Sequence, residues 1–242
     1  TLGCTLQTRA LVDTARIVDR AAAARAGTGW YGKNAMIIVP QHGSWVMLGE
    51  LLLDVALPPD VPLAQDCGRC DICIQRCPTG AIAAPYRIDA PRCISYLTIE
   101  ERGPLPPELR PLLGNLVFGC DICQEVCPYT GAAEALHDPD FAPRAIDNAF
   151  PSLQLLAEMD DERFREIFRG TAVKRAKRGG LARNAAVALG NSGDQRAEPI
   201  LQHMLYHHDT PLARGHAAWA LGQLLGGAAR TALERVRVTE RD

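Results

Sequence analysis

Nine cysteines are the residues in this 242-residue sequence whose types and spacing could do chemistry. Four of them lie in the run CGRCDICIQRCP, residues 67–78, separated by two, two and three residues and followed by a proline. A second run, CDICQEVCP, residues 120–128, repeats the C-x2-C-x3-C-P ending, and Cys93 stands between the two runs. Thiolates at this spacing are typical of proteins that hold two [4Fe–4S] clusters.

The spacing also predicts which cysteines share a cluster, because the fourth cysteine of such a run binds the other cluster. The two predicted ligand sets are Cys67, Cys70, Cys73 and Cys127 for one cluster, and Cys77, Cys93, Cys120 and Cys123 for the other. Zinc in two Cys4 sites is the alternative, which is disfavoured because zinc sites use pairs of C-x2-C rather than a triple followed by C-P. Cys4 has no evident partner and is interpreted as a bystander.

Composition places these thiols in a reducing compartment. With 47% apolar residues the chain can bury a core, and its net charge of −2 excludes a polycation that coats nucleic acid or an anionic membrane. No apolar run reaches the roughly 18 residues of a bilayer span, and the opening TLGCTLQTRA lacks the apolar core of a signal peptide. We therefore expect a cytoplasmic protein without a membrane partner, whose cysteines bind metal rather than form disulfides. Because the sequence opens on Thr rather than Met, we also expect a processed chain or a piece of a longer one.

The elements before the cysteines are predicted to be α/β. A helix is predicted in LVDTARIVDRAAAARAG, residues 11–27, from its alanine content, with Asp13 or Thr14 as its cap and Gly27 as its stop. Short strands are predicted in NAMIIVP and SWVMLGE, joined by a QHG turn. The glycines of GTGWYGKN, residues 27–34, favour a plain turn, with close approach to a ligand as the alternative.

The elements after the cysteines are predicted to be helical and repetitive. Residues 131–152, rich in Pro, Asp and Ala, are interpreted as a connecting segment. Beyond them Leu-Ala-Arg at 181–183 recurs at 212–214, and the Ala-Ala pair at 185–186 recurs at 217–218. This period, with small residues on one helix face, predicts a short α-solenoid of stacked helix pairs.

A basic stretch opens this repeat region. RGTAVKRAKRGGLARN, residues 169–184, contains six cations and no acid, so phosphate binding and an ordinary solvated face are both open interpretations. The predicted phosphate-contact residues are Lys174, Arg175, Lys177, Arg178, Arg183 and, one repeat later, Arg214.

Taken together, the motifs resemble those of the epoxyqueuosine reductases. The resemblance is carried by VDTARIVDRAAAARAGTGWYGKN, GSWVMLGELLLD, CGRCDICIQRCPTGAI, RCISYLTIEERGPLP and GNLVFGCDICQEVCP, and it extends to HEAT-like repeats at the C-terminus. Many electron carriers share the ferredoxin-like run, whereas RCISYLTIE and GNLVFGCDICQ are specific to this family.

The resemblance implies an α+β multidomain fold. Residues 1–62 would be the C-terminal part of an α/β cobalamin-binding domain, 63–132 a two-cluster ferredoxin-like domain, and 133–242 a linker with HEAT-like helical repeats. Members of the family carry a further N-terminal segment before the VDT motif, so the resemblance implies that this sequence lacks it.

The resemblance also implies an activity: reduction of epoxyqueuosine to queuosine at the wobble position of tRNA, with cobalamin and two [4Fe–4S] clusters. The reaction consumes two electrons and two protons and releases water. In the family the proton donor is the Asp of the VDT motif, which corresponds to Asp13, although from the residues alone an Asp before an Ala-rich helix favours an N-cap. Asp19 is a weaker candidate and is interpreted as a surface or salt-bridging residue.

Further site residues and partners follow from the same resemblance. The implied corrinoid neighbours are Lys33, Asn34, Ser44, Ser95 and Asp121, which as polar loop residues could equally form turns. The implied partners of a monomeric enzyme are the anticodon stem-loop of tRNA and an unidentified low-potential electron donor. Two alternatives stay open: a corrinoid reductive dehalogenase, and a non-enzymatic ferredoxin-type electron-transfer protein that docks a partner with its solenoid.

Overall fold

The structure of the protein is a computed structural model that describes residues 7–13, 15–131, 142–143, 145 and 149–239. These residues form two compact units. One runs to Asp89 and resumes at Asp121, and the other contains Ala90–Cys120 and the helices from Leu153 onward. No helix in the described ranges is long and apolar enough to cross a membrane.

The strands are short and all belong to the first unit. They are β1 (Thr8–Leu11), β2 (Trp30–Tyr31), β3 (Ile37–Ile38), β4 (Glu50–Leu53), β5 (Ile82–Ala84) and β6 (Arg87–Ile88). They form three antiparallel pairs, β1 with β4, β2 with β3, and β5 with β6.

The helices of the first unit are short, and those of the second include two of fifteen residues. The α-helices are α1 (Asp19–Arg25), α2 (Ile72–Arg76), α3 (Ile94–Ile99), α4 (Ile122–Glu125), α5 (Leu153–Glu158), α6 (Asp161–Phe168), α7 (Lys177–Asn191), α8 (Glu198–His207), α9 (Pro211–Leu225) and α10 (Arg230–Thr239). Short 3-10 turns lie at Ala90–Arg92, Arg110–Leu113, Ala172–Ala176, Gln195–Ala197 and Gly226–Ala229.

The first predicted helix is shorter than its alanine pattern suggested. It begins at Asp19 with Val18 at the N-cap, so the interpretation of Asp13 as a cap is wrong. The reason is that β1 holds the preceding residues in a ladder with β4 and that Asp13 has a φ of 49°, outside the helical range. The predicted stop is confirmed, because Gly27 follows the helix with a φ of 68°. Thr14 and Cys4 lie outside the described residues.

The strand predictions after this helix are confirmed only in part. NAMIIVP contains β3, and the QHG turn is closed by a bridge between Val39 and Gly43. The strand predicted in SWVMLGE is wrong up to its last residue, because β4 starts at Glu50, where the chain pairs with β1. In GTGWYGKN a Cβ on Gly29 would lie 2.6 Å from the carbonyl oxygen of Ile38. This glycine therefore permits the β2–β3 pairing.

A small core in the first unit joins the β2–β3 hairpin to the cysteine loops. Trp30 and Ile38 are buried together with Cys67 and Cys127. The ring of Trp30 meets Tyr129 edge-on, with centroids 5.2 Å apart. The hairpin therefore forms the base on which two predicted cluster ligands rest.

Close helix packing explains the repeated small residues of the second unit. Most of the alanines of α7 and α9 that repeat in the sequence are buried, and Ala185 and Ala217 are fully so. A Cβ on Gly190 would lie 2.8 Å from the Cα of Ala220, so the two helices approach to backbone contact there. The predicted stacking of helix pairs is confirmed in these helices. The predicted connecting segment lies mostly outside the described residues, and its end, Ser152, caps α5 by accepting a hydrogen bond from the amide of Leu155.

The middle of the ferredoxin-like segment packs with the helical repeats. Ile94 and Leu97 of α3 and Leu105 share a buried cluster with Val187 of α7. The compact units therefore do not follow the three predicted segments, because residues 90–120 fold within the second unit. The division into segments 1–62, 63–132 and 133–242 remains a prediction about sequence modules.

Candidate functional site

The four cysteines of the first predicted set line one small cavity in the first unit. Cys67 and Cys70 come from the loop before α2, Cys73 from α2 itself, and Cys127 from the turn after α4. Cys67 and Cys127 are buried and the other two are half-buried. The remaining wall residues are Lys33, Asn34, Ile38, Pro128 and Tyr129.

Local hydrogen bonds shape the loop that carries three of these thiols. The amide of Gly68, where φ is 51°, donates to Asp66 Oδ1 at 2.6 Å, and the amide of Cys70 donates to the Cys67 carbonyl at 3.0 Å. Burial, followed by the neighbouring Cys67 and Cys127, raises the pKa of Cys73. Among the described residues, no three His, Cys, Asp or Glu side chains are placed around a single ion. The four thiols instead surround a shared space.

Two polar residues of the GKN motif hold the cysteine loops in place. The Lys33 ammonium donates to the carbonyls of Gly68 at 2.7 Å and Cys70 at 2.8 Å. Asn34, which is 5% exposed, donates from Nδ2 to the Cys123 carbonyl at 3.2 Å and accepts from the Met36 amide. Lys33 thus lines the same cavity as the first predicted ligand set, whose cysteines would bind a cluster as thiolates.

The second predicted ligand set is divided between the two units. Cys77 and Cys123 belong to the first unit, whereas Cys93 and Cys120 belong to the second. Burial alone would raise the pKa of Cys77, but hydrogen bonds to its sulfur from Ile82 and nearby donors lower that pKa overall. This set remains a prediction from the cysteine spacing.

Cys93 and Cys120 are linked through helix α3. Cys93 is the N-cap residue of the helix. Ser95, on its first turn, donates from Oγ to the Cys120 carbonyl at 3.3 Å. Ser95 is predicted to neighbour a corrinoid, and the structure gives its hydroxyl this protein partner.

Asp13 lies in a bend directly after β1. Asp13 is exposed and its φ is 49°. It also interacts with another group of the protein. An exposed carboxyl on a bend can meet a substrate, which keeps the predicted proton-donor role open.

A carboxyl pair that the sequence did not reveal lies between α1 and β4. Burial, followed by the charge and hydrogen bond of Asp19, raises the pKa of Glu50. Asp19 Oδ1 and Glu50 Oε2 are buried without a hydrogen-bond partner in the described structure. The interpretation of Asp19 as a surface or salt-bridging residue is therefore wrong, and no sequence pattern indicated that Glu50 would lie beside it.

Two other predicted corrinoid neighbours also bind the protein. Ser44 is 2% exposed, and its Oγ lies 3.2 Å from Thr130 Oγ1. Asp121 is exposed, and its Oδ1 accepts from Gln124 Nε2 at 2.6 Å. In the structure these side chains stabilise the turns around α4.

Arg183 is a correction to the predicted phosphate-contact surface. Its side chain is fully buried and donates to the carbonyls of Leu97, Glu101 and Gly103 at 2.7 to 2.9 Å. Burial lowers its pKa to about 10. A phosphate cannot reach this guanidinium because protein atoms surround it.

Two further cations of the predicted surface are engaged with neighbouring groups. Arg178 forms ion pairs with Asp161 and Asp209, and its side chain is only 13% exposed. Arg214 donates to the carbonyl of His208 at 2.9 Å. Such pairing leaves Arg178 little net attraction for a phosphate.

The exposed cations cluster on the turn ahead of α7. They are Arg169, Lys174, Arg175 and Lys177, of which Arg175 forms an ion pair with Glu100. Lys177 has a φ of 62°, in the left-handed region that non-glycine residues rarely adopt, at the junction between the 3-10 turn and α7. The basic surface in the structure is therefore this turn.

Comparisons with known families define a class. Residues 66–130 match the 4Fe-4S double cluster binding domain, and residues 171–242 match HEAT repeats. The protein thus combines a two-cluster iron–sulfur segment with a helical repeat region.

Longer relatives narrow the class. The chain is 43% identical over 231 residues to the epoxyqueuosine reductase of Yersinia pestis, and 44% identical over 219 residues to that of Escherichia coli K12. These matches cover 93% and 90% of this chain but 54% and 57% of the relatives, so the chain spans little more than half of their length. The resemblance seen in the motifs is confirmed: the chain is a relative of the epoxyqueuosine reductases, which are oxidoreductases.

Solved structures agree with this relationship. A selenomethionine-labelled epoxyqueuosine reductase superposes with a TM-score of 0.91 at 38% identity, covering 98% of this chain and 63% of that one. An epoxyqueuosine reductase with an epoxyqueuosine-modified tRNA-Tyr stem loop has a TM-score of 0.89 at 38% identity, with the same coverage. The enzyme from Bacillus subtilis, with an aspartate catalytic loop swung out of the active site, has a TM-score of 0.90 at 36% identity, covering 98% of this chain and 62% of that one.

Proposed function

We propose that this protein reduces epoxyqueuosine to queuosine at the wobble position of tRNA. The observation that carries the proposal is the convergence of Cys67, Cys70, Cys73 and Cys127 on one cavity, in a chain related to epoxyqueuosine reductases. The fold alone would not identify a function, because one fold supports many. The cavity gives the relationship a specific chemical site.

In this proposal the cysteines hold the groups that carry the electrons. The first set would hold one [4Fe–4S] cluster, and Cys77, Cys93, Cys120 and Cys123 would hold the other. Such clusters would supply single electrons, of which each epoxide needs two. Two electrons and two protons convert the epoxide to a carbon–carbon double bond and release its oxygen as water. A low-potential electron donor must refill the clusters.

Asp13 supplies a proton to the departing epoxide oxygen in the proposal. An epoxide carbon–oxygen bond breaks more readily when its oxygen is protonated, which a positioned carboxylic acid can do. The exposed bend after β1 suits this role. The Bacillus subtilis relative, whose aspartate catalytic loop is swung out, supports an aspartate on a movable loop.

Cobalamin is implied by the resemblance, and when bound it would supply the strong reductant that protein side chains lack. The polar side-chain atoms of Lys33, Asn34 and Ser44 form hydrogen bonds within the protein. These contacts therefore do not support a corrinoid site at the three residues. Their contribution here is to hold the cysteine loops and the turn after α4. Cobalamin binding by this chain is therefore proposed on the resemblance alone.

The RNA partner is proposed to bind at the exposed basic turn. A relative has been solved with an epoxyqueuosine-modified stem loop, and phosphates are bound chiefly by accessible Lys and Arg. Lys174 and Lys177 are exposed and have no ion pair among the described residues. These two lysines, with Arg169 and Arg175, replace the larger surface predicted from the sequence.

The test is conversion of epoxyqueuosine in tRNA by the anaerobically reconstituted protein, with cobalamin and a chemical reductant added. Nucleoside mass spectrometry should show queuosine replacing epoxyqueuosine. A protein that takes up both clusters yet leaves the epoxide intact with cobalamin present would act as an electron carrier instead. Turnover of an organohalide without conversion of tRNA would favour a dehalogenase.

A further inference from the structure

Helix α3 holds two predicted cluster ligands at once. The Cys93 carbonyl accepts from the amide of Leu97 in the first turn, which fixes Cys93 at the start of the helix. Ser95 Oγ donates to the Cys120 carbonyl at 3.3 Å, and Thr98 Oγ1 accepts from the Gly119 amide at 2.9 Å. Movement of α3 would therefore displace both cysteines.

Two adjacent residues of α7 hold the end of α3. The last carbonyls of a helix lack partners within it. Arg183 Nη2 donates to the Leu97 carbonyl at 2.7 Å, and Asn184 Nδ2 donates to the Thr98 carbonyl at 2.8 Å. Side chains of the helical repeats thus provide the C-terminal cap of this helix.

The same two side chains also reach the chain that follows α3. Arg183 Nη1 donates to the carbonyls of Glu101 and Gly103, and Asn184 Nδ2 donates to the Val117 carbonyl at 2.8 Å. Arg183 Nε donates to Asn184 Oδ1 at 3.0 Å, so the pair forms one network. Both residues are fully buried. Buried carbonyls without their donors are costly, so the segment would have to rearrange if these side chains were removed.

We propose that Arg183 and Asn184 are positioning residues for the second iron–sulfur cluster: they cap α3 and thereby fix Cys93 and Cys120. The helical repeat region then serves the redox centre as well as the RNA. The inference rests on the proposed assignment of Cys93 and Cys120 as ligands. Cluster potentials respond to hydrogen bonding and exposure around the sulfurs, so a displaced α3 should alter one cluster selectively.

The test compares two asparagines of α7 that donate to backbone carbonyls in the same way. Asn191 donates from Nδ2 to the carbonyls of Arg110 at 2.9 Å and Gly114 at 3.0 Å, neither of which belongs to α3. Asn184→Ala and Asn191→Ala are reconstituted anaerobically as full chains. Iron and sulfide are counted, and the reduced clusters are titrated by electron paramagnetic resonance. Cys93→Ala identifies the signal of the second cluster.

Asn184→Ala should shift the potential of the second cluster or remove that cluster's iron, half of the total, while the first cluster stays as in the wild type. Asn191→Ala should leave both unchanged even where it lowers stability. Ser95→Ala is a milder change that removes the hydrogen bond from α3 to the Cys120 carbonyl. It should shift the same electron paramagnetic resonance signal, and it replaces Asn184→Ala in the test if that variant does not fold.

Two results would overturn the inference and can be told apart. A wild-type chain that takes up only one cluster refutes the ligand assignment and, with it, this inference. A wild-type chain with both clusters, whose potentials are unmoved in Asn184→Ala and Ser95→Ala or moved equally in Asn191→Ala, refutes the positioning role alone.

Discussion

We expect His216 of α9 to make the stability of the helical repeats depend on pH. It is 2% exposed, its Nε2 accepts from the Leu105 amide at 3.1 Å, and its Nδ1 lies 2.7 Å from the Leu212 carbonyl, to which it donates. Both ring nitrogens are therefore satisfied only in the neutral form. Burial lowers the pKa of His216 to about 4; the hydrogen bond to the Leu212 carbonyl opposes this shift, and the charges of Arg110 and Arg183 add to it.

The size of the pH effect on stability follows from proton linkage. In the unfolded chain His216 is protonated near its ordinary pKa of 6.5, whereas in the folded chain its pKa is about 4. Between these values the unfolded state binds one more proton, so stability falls as the pH is lowered. Each unit of pKa difference is worth about 1.4 kcal/mol, and integration from pH 7 to pH 5 gives a decrease of about 2 kcal/mol in the free energy of unfolding.

Urea unfolding followed by the helical circular dichroism signal tests this value, because α5 to α10 supply most of the described helix. His216→Gln should be less stable than the wild type at pH 7, and the difference should shrink by about 2 kcal/mol at pH 5. His203→Gln, at a side chain that is 60% exposed, is the matched control and should follow the wild type. A His216→Gln variant that is destabilised by acid as steeply as the wild type would refute the reasoning.

Three further predictions concern the site. Reconstituted protein should bind about eight irons, and Cys77→Ala should disturb the cluster opposite to the one most affected by Cys73→Ala; two zincs without sulfide would contradict this. Asp13→Asn should fold normally yet slow epoxide reduction roughly 10²- to 10⁴-fold in a turnover assay, and turnover at the wild-type rate would remove its role as acid. Changing Lys174 and Lys177 together to Ala should weaken the salt dependence of tRNA binding, measured by fluorescence titration. The slope of log affinity against log salt should fall by about 0.7 to 0.9 for each phosphate that is no longer neutralised, and an unchanged slope would show that the turn is a solvated face.

Short-range patterns of the sequence predicted the parts of the structure that depend on local chemistry. The two-residue spacers of the first run predicted that Cys67, Cys70 and Cys73 would line one cavity, because a single short loop carries all three thiols. The small residues of α7 and α9 predicted helix stacking because alanine and glycine permit close backbone contact.

Long-range contacts were not predictable in this way. Arg183 resembled its basic neighbours in the sequence, yet it is buried by α3, a helix more than eighty positions earlier. The carboxyls of Asp19 in α1 and Glu50 in β4 meet although distant parts of the chain carry them. SWVMLGE alternates like a strand, but in the described structure only its last residue, Glu50, takes part in the β1–β4 ladder. Neither a charged residue nor an alternating apolar pattern shows which distant element will pack against it.

The most direct test of the central claim is a single-turnover electron count. Protein reconstituted with both clusters and cobalamin is reduced, freed of excess reductant, and mixed anaerobically with an epoxyqueuosine-modified stem loop while the cluster absorbance is recorded. The account predicts that the clusters reoxidise and that one queuosine forms for every two electrons transferred. Clusters that remain reduced beside unchanged epoxyqueuosine would contradict it.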